Sequence, residues 1–572
     1  MDFETLYEKA SRYVKYESDD HFKAEVIQAM NDEDVEELHE RFYTSLSFGT
    51  AGMRGVIGGG FNRMNSYMVQ LVTQGLADYL NDEIEADPSV VIAFDSRNFS
   101  PQFAQNAGEV LSANGIKVYL YDEITPVPLL SYAVRYLKAS AGITITASHN
   151  PTEYNGYKVY WSDGAQVIAP HDQRIADYVK KITDGSLIKR TDIETAREKG
   201  MLISVPEEVD QSYFDKVIGS IRKPELFSDP VEHQVVFTPL HGTGRVPVTT
   251  IFDRLGVHYA LVSEQSEPDG NFPTVDMPNP EDKKAMNLAV SLGRKMKADI
   301  ILGTDPDADR LGIGVPVDEK KSEYQLLNGN QIAVLLCDYL IETHRTSDQG
   351  LVCVKSIVTT DLMRAIVESK GFECRDVLTG FKYIADQMHT IEQENLQFLF
   401  GAEESFGYLS VPFVYDKDAV STAMLAVEMM LYYKKQGKSL LDRLAELWMV
   451  YGYYQELVIS KTYPGSEGRA KIEALMKDFR TNGPKELAGL KVVQTLDLLS
   501  GGGEGNLPSA DVLIFKLEGG NKVVVRPSGT EPKIKYYLFT VCKSENLKSA
   551  KEISERMQQS LTKALDLVGD QA

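Results

Sequence analysis

The sequence predicts an α/β protein: three related α/β domains with mixed, largely parallel sheets, followed by a C-terminal α+β domain. Three observations carry this. At 572 residues the chain is too long for one hydrophobic core. Short β-branched runs alternate with helical patterns, and that alternation recurs three times, which implies parallel strands covered by helices on both faces. The last hundred residues change to hairpin-like strands followed by one charged helix.

Residues 1 to about 45 read as an acidic, amphipathic helical preface. The first α/β unit holds the strands in "SVVIAFDSR", "IKVYLYDE" and "AGITITAS". The second holds "HQVVFTPLHG", "HYALVSEQ" and "ADIILGTDPDADR". The third holds "GLVCVKSIVTT", "GFECRDVLTG" and "LQFLFGAEES", and long helices over 419–436 and 440–449 close it. The final module reads as strand, Gly-Gly hairpin, strand, loop and strand in "ADVLIFKLEGGNKVVVRPSGTEPKIKYYLFTV", then an amphipathic helix in "SENLKSAKEISERMQQSLTKAL". "LSGGGEGNLP" is a loop within it that lacks the Gly-Lys-Ser/Thr of a P-loop. The expected domains are 1–205, 206–322, 323–455 and 456–572.

Composition is that of a soluble globular protein, with 43% hydrophobic and 25% charged residues. The charged start lacks the apolar core of a secretory signal, and no run of about 18 apolar residues suggests a membrane span. Cys337, Cys353, Cys374 and Cys542 show no metal-ligand spacing, so free thiols in a cytoplasmic protein are expected. The formal net charge of −23 repels nucleic acid and anionic membranes. It repels a phosphorylated metabolite too, unless basic residues gather in one cleft.

"AGITITASHNP" runs a buried strand into a polar turn carrying Ser148 and His149. Ser148 cannot be a nucleophile unaided, since a free hydroxyl keeps its proton far above neutral pH. Either the turn is only a turn, or Ser148 carries a group. "GTDPDADR" places Asp305, Asp307 and Asp309 at a strand's carboxyl end, where open α/β sheets bind ligands. Read as an extended segment, it projects the three carboxylates to one side. Three such groups repel unless a cation sits among them, and an all-oxygen set suits Mg²⁺ with a phosphate oxygen as a further ligand. If Ser148 is phosphorylated, its phosphate oxygens supply that ligand; otherwise the run is a solvated Asp-rich turn.

Weaker signals add to these. "RPSGTEPKIK" offers Arg526, Ser528, Gly529 and Thr530, with Lys533 and Lys535 adding positive potential, as a phosphate-gripping loop. "SFGTAGMRG" is a Gly-punctuated loop with Arg54. "GAEESFGYL" sets Glu403, Glu404 and Ser405 after a strand, where they suit sugar hydroxyls, or equally a helix cap or an internal ion pair. "TGFKYI" and "NGYKVY" set Lys382 and Lys158 after strands; a lone lysine counts only as a member of a set.

"TASHNP", "GTDPDADR", "GAEESFG" and "RPSGTEPKIK", in this order, resemble the α-D-phosphohexomutase superfamily, most closely its phosphoglucomutase branch, over roughly residues 40 to 572. The longer members of that branch are also similar to phosphopentomutases. The resemblance implies four domains around a central cleft and an isomerase that moves a phosphoryl group within its substrate. Ser148 matches the phosphoserine and a metal ligand, and Asp305, Asp307 and Asp309 match the Mg²⁺ ligands. Arg310, Thr379, Gly380 and Lys382 match substrate-contacting positions. Glu403 and Ser405 match readers of sugar hydroxyls, Arg526, Ser528, Gly529 and Thr530 match the distal phosphate loop, and Lys535 is a further substrate-binding candidate. Arg54, His149 and Lys158 surround the reacting phosphoryl group. His149, Lys158 and Lys382 are candidates for moving the hydroxyl proton.

The implied reaction interconverts α-D-glucose 1-phosphate and glucose 6-phosphate through glucose 1,6-bisphosphate, which also serves as activator. Phosphopentomutase, phosphomannomutase and hexose-bisphosphate synthase activities use the same machinery. A phosphatase and a non-catalytic sugar-phosphate sensor are the rivals outside it. Partners are small-molecule sugar phosphates, with no nucleic acid and no membrane, and both a monomer and a dimer are compatible.

Overall fold

The computed structural model describes residues 3–49, 52–228, 232–344, 350–463, 465–500, 507–528 and 533–569. The chain forms two compact units, Met1–Leu327 with Gly407–Glu428, and Asn328–Phe406 with Met429–Ala572.

In the first unit the acidic preface is three helices, Phe3–Tyr16, Asp20–Asn31 and Val35–Phe42. Asp19 and Asp34 cap the second and third, accepting from the backbone N–H groups of His21 and Glu37. Leu6, Ala10 and Tyr13 recur at helical spacing on one face and are fully buried, as are Phe22, Val26 and Phe42. They share a core with Tyr67, Val69, Ile92 and Ile143, so the preface belongs to the core rather than hanging from it.

The first sheet comprises β1 (Gly52–Val56), β2 (Ser89–Phe94), β3 (Lys117–Leu120), β4 (Ala141–Ile145), β5 (Tyr154–Trp161) and β6 (Leu202–Ser204). Its order is β1-β5-β4-β2-β3-β6. Strand β2 runs parallel to β3 and β4, and β3 parallel to β6, whereas β5 is antiparallel to both β4 and β1. The second sheet repeats the plan with β7 (Val235–Thr238), β8 (Tyr259–Leu261), β9 (Ile300–Thr304), β10 (Leu311–Pro316) and β11 (Tyr324–Leu326), in the order β11-β10-β9-β7-β8. Here β7 is parallel to β8 and β9, and β10 returns antiparallel to β9. In both sheets a parallel strand meets a tight turn and comes back antiparallel. Ser148 sits on the first such turn, the Asp triad on the second.

In the second unit β12 (Leu351–Ser356) lies parallel to β13 (Glu373–Val377) and β14 (Gln397–Glu403). The turn after β14 carries Glu404 and Ser405, and β15 (Gly407–Leu409) follows it in the chain. The helices Ala419–Lys435 and Leu440–Tyr451 come next. The last sheet holds β16 (Tyr453–Thr462), β17 (Glu486–Leu487), β18 (Leu490–Asp497), β19 (Leu513–Leu517), β20 (Lys522–Pro527) and β21 (Lys533–Cys542), ordered β16-β21-β20-β19-β18-β17 and antiparallel throughout. Its period-two pattern divides two cores. Val523, Val525, Tyr536 and Leu538 pack with Phe479 and Leu561 of the flanking helices. Val524, Tyr537 and Phe539 pack instead with Ile357, Val358 and Leu378.

All four cysteines are buried free thiols. Among the described residues no helix is long and apolar enough to cross a membrane. Residues 501–506 of the expected glycine-rich loop, and Gly529 and Thr530, lie outside the described residues.

Candidate active site

The strand β4 delivers Ser148 in a left-handed conformation, φ +51°. That conformation costs an L-residue roughly 1–2 kcal/mol, so the surroundings must hold it. Thr146 Oγ1 accepts the Ser148 N–H at 2.8 Å, and Arg97 donates to the Ser148 carbonyl at 2.5 Å. Ser148 itself is buried rather than presented to solvent. Its Oγ donates to Asp305 Oδ2 at 2.6 Å and lies 3.2 Å from His149 Nδ1.

The triad corrects one expectation. Asp305, Asp307 and Asp309 do not converge by alternation along an extended segment. They sit on a closed turn with Ala308 at φ +49° and the Ala308 N–H donating to the Asp305 carbonyl at 3.0 Å. Asp305 Oδ1 accepts the N–H groups of Asp309 and Arg310 at 3.1 and 3.0 Å, drawing the turn around its own carboxylate. The physical reason is Pro306 and the polar residues around it: they favour a turn over a strand.

A second loop supports the turn from behind. Thr243 donates both its N–H and its hydroxyl to the Pro306 carbonyl, each at 2.8 Å. A Cβ on Gly242 would stand 2.3 Å from Pro306 Cα, closer than atoms tolerate. Gly242→Ala is therefore expected to destabilise the protein by about 1–3 kcal/mol and to lower activity. A urea titration checks this; an unchanged midpoint and rate would remove the loop's supporting role.

One carboxylate oxygen from each of the three aspartates lies within 4.8 Å of the others, and all three residues are buried. Asp307 Oδ1 and Asp309 Oδ1 are buried and accept no hydrogen bond among the described residues. Burial, then the Asp307 and Asp309 carboxylates, push Asp305 well above the usual carboxylate range. Asp307 is held below that range because the Lys158 ammonium overrides the effect of burial. Unpaired buried oxygens on an all-carboxylate cluster fit a hard divalent cation.

Basic groups compensate the cluster. Lys158 Nζ is 2.9 Å from Asp307 Oδ2 and 3.9 Å from Asp309 Oδ2. Arg310 pairs with Glu281 at 2.6 Å and approaches Asp305 and Asp309 at 4.0 and 3.9 Å. Arg54 donates to Asn150 Oδ1 at 2.9 Å. Two placements differ from expectation. Arg54 lies on β1, not in a loop, and Lys158 lies within β5, not after a strand. Pairing with β4 and β1 makes β5 a central strand, which carries Lys158 alongside the turn. Burial, then the Arg310 and Arg54 guanidiniums, keep His149 well below its usual value, so its imidazole is neutral.

Four contributors were missed in the sequence. Lys417 Nζ reaches Asp309 Oδ2 at 3.1 Å and is itself held by Asp416 at 3.0 Å. Asp416 also accepts from the Tyr160 hydroxyl at 2.9 Å. Asp95 and Arg97 lie under the Ser148 turn; "FDSR" at the carboxyl end of a strand neighbouring β4 was the available signal.

In the second unit Glu403 Oε1 accepts the Gly380 N–H at 2.7 Å, joining the "GAEESFG" and "TGFKYI" segments. Lys382 lies in the first turn of the helix Phe381–Gln393. The Thr379 hydroxyl oxygen is buried and makes no hydrogen bond among the described residues. Gly329 approaches the Glu404 carbonyl so closely that a Cβ there would fall 1.8 Å away. Tyr537 is pushed up to about 12 by burial and then by the Glu404 carboxylate, with Arg526 acting in the opposite direction. Arg526 pairs in register with Lys535, and Ser528 N–H donates to the Lys533 carbonyl at 2.7 Å. Of the basic candidates, Arg54, Lys158 and Arg310 belong to the first unit, and Lys382, Arg526, Lys533 and Lys535 to the second.

Comparisons with known proteins match this arrangement. Family models for phosphoglucomutase/phosphomannomutase alpha/beta/alpha domains I, II and III match residues 45–186, 211–318 and 328–451. A phosphoglucomutase of Staphylococcus epidermidis is 41% identical over 529 residues, covering 90% of this chain and 94% of that protein. One from Staphylococcus aureus is 38% identical over 522 residues, covering 89% and 92%. Among solved structures, parafusin, a phosphoglucomutase from Paramecium in its open form, aligns with a TM-score of 0.69 at 18% identity, covering 92% of this chain and 96% of that one. A putative phosphomannomutase from Thermus thermophilus aligns at 0.66 with 22% identity, covering 90% and 98%. These two structures support the fold. On the family models and the sequence identity together, the chain belongs to the phosphoglucomutase/phosphomannomutase family, in the phosphoglucomutase branch of the α-D-phosphohexomutases.

Proposed function

We propose that Ser148 is the phosphoryl carrier of a phosphoglucomutase reaction. The enzyme is an isomerase of the intramolecular phosphotransferase kind and interconverts α-D-glucose 1-phosphate and glucose 6-phosphate. The observation that supports the assignment to Ser148 is its 2.6 Å contact with Asp305, inside a buried carboxylate cluster in which two oxygens accept no hydrogen bond among the described residues.

Phospho-Ser148 gives its phosphoryl group to the 6-hydroxyl of glucose 1-phosphate. The bond from phosphorus to Ser148 Oγ breaks, a bond to the sugar O6 forms, the O6 proton leaves and Ser148 Oγ regains a proton. The bond from phosphorus to O1 of the resulting glucose 1,6-bisphosphate then breaks, a bond from that phosphorus to Ser148 Oγ forms, Oγ loses its proton and O1 gains one, which leaves glucose 6-phosphate and phospho-Ser148. His149 is the proposed proton exchanger beside Ser148, supported by its neutral imidazole and the 3.2 Å contact. Lys158, Arg310 and Arg54 offset phosphoryl charge. Mg²⁺ held by Asp305, Asp307, Asp309 and a Ser148 phosphate oxygen supplies further charge neutralisation when bound. Glu403 and Ser405 read sugar hydroxyls, with Thr379, Gly380 and Lys382 beside them. Arg526, Ser528, Gly529, Thr530 and Lys535 grip the phosphate that is not reacting.

Intact mass tests this. Incubation with glucose 1,6-bisphosphate is expected to add one phosphoryl group, mapped by peptide fragmentation to Ser148, and glucose 1-phosphate to turn over faster than mannose or ribose 1-phosphate. Modification elsewhere, or steady inorganic phosphate with no isomer formed, overturns the proposal. A preference for another sugar phosphate reassigns the substrate and leaves the carrier intact.

A further inference from the structure

We infer that Asp95 and Arg97 are positioning residues for phosphoryl transfer, holding the Ser148 backbone at a fixed place while its side chain gains and loses a phosphate. The inference rests on Ser148 being the carrier.

Arg97 is almost wholly buried, at 1% exposure, and Asp95 is completely so. Its two terminal nitrogens make four bonds to carbonyl oxygens of one turn. One nitrogen donates to Pro151 and Tyr154 at 2.8 and 3.0 Å, the other to Ser148 at 2.5 Å and to Asn150. All four terminal N–H groups are thereby used, and the remaining nitrogen, Nε, faces Asp95 Oδ2 at 3.4 Å. No other side chain carries that many donors in one rigid plane; a lysine has three, on one atom.

Asp95 completes the grip from the other side. Its Oδ1 accepts the Arg97 N–H at 2.9 Å and the Ser100 hydroxyl at 2.8 Å. Its Oδ2 accepts the Thr146 hydroxyl at 2.6 Å, and the oxygen of that hydroxyl accepts the Ser148 N–H. Ser148 is therefore held at both its N–H and its C=O by one buried ion pair. Among the described residues Ser148 Oγ contacts Asp305 and His149 and neither Asp95 nor Arg97, so the action of these two is through the backbone. The carrier oxygen must occupy the same point whether its side chain bears no charge or the charge of a phosphate. A displacement of about 1 Å at a reacting atom costs roughly a hundredfold in rate.

Arg97→Lys keeps the charge and loses the fork. Measured at saturating glucose 1,6-bisphosphate and normalised to phosphorylated enzyme, its kcat is expected to fall by about ten- to a hundredfold, with KM for glucose 1-phosphate within about threefold of wild type. A kcat within about twofold of wild type, or a raised KM at unchanged kcat, overturns the inference. If Arg97→Lys does not fold, Asp95→Asn is measured in the same way, with the same split expected; a wild-type kcat there overturns it as well. Ser148→Ala run in parallel separates the two levels. If that variant is inactive while the positioning variants match wild type, only the inference fails; if it is active, the carrier assignment fails.

Discussion

Ser148→Ala is expected to lose on the order of 10⁴-fold or more of mutase turnover while remaining folded. The chemistry requires an oxygen at this position to hold the phosphoryl group between its two transfers, and alanine offers none. Folding should survive, because the turn is held through backbone groups of Ser148 and not through its hydroxyl. The replaced contact is the 2.6 Å bond to Asp305, whose carboxylate keeps two backbone donors. A coupled assay of glucose 6-phosphate formation, with circular dichroism as the control for folding, decides it. Turnover within tenfold of wild type would remove the covalent mechanism.

Divalent-cation removal should have an effect nearly as large, with a second readout in stability. Chelation is expected to abolish turnover and Mg²⁺ to restore it. Wild-type protein should also unfold at a higher temperature with Mg²⁺ than without, since a ligand that binds only the folded state at about 100 Kd adds about 2.7 kcal/mol. In Asp307→Asn that Mg²⁺-dependent gain should largely vanish, and turnover should fall on the order of a hundredfold or more. Asp307 is the informative position because its Oδ2 is engaged by Lys158 while its Oδ1 is buried and unpaired. An Mg²⁺-independent melting temperature in wild type would sink the metal assignment, whatever the activity.

Much of the fold was legible before any coordinates. β-Branched runs bounded by turn residues marked β2, β4, β7, β9 and β12, because a strand buried on both faces must be almost wholly apolar. The proposed carriers of chemistry were legible for a related reason: Ser148, the Asp triad and Glu403 each stand where such a strand ends. Local shape at those ends was less legible. Whether "GTDPDADR" continues extended or turns back depends on Asp305 closing onto the N–H groups of Asp309 and Arg310. Side-chain hydrogen bonding of that kind competes with strand geometry and is weakly encoded in residue type.

Other contributors had at most a weak local signal. Arg97 looks like any polar residue after a strand, and only the parallel pairing of β2 with β4 brings it beneath the Ser148 turn. Lys417 meets Asp309 through the segment 407–428, which returns to the first unit after the chain has built part of the second.

By itself the sequence determined strand and helix periodicity, the acidic balance, the free cysteines and the residue types able to carry phosphate or bind a cation. Those properties depend on neighbours a few positions away. Tertiary structure alone decided that Ser148 and Asp305, 157 residues apart, share a hydrogen bond, and that one buried ion pair clamps the turn between them. Contacts at that separation follow from how sheets order their strands and which faces bury together. No short window of sequence specifies them.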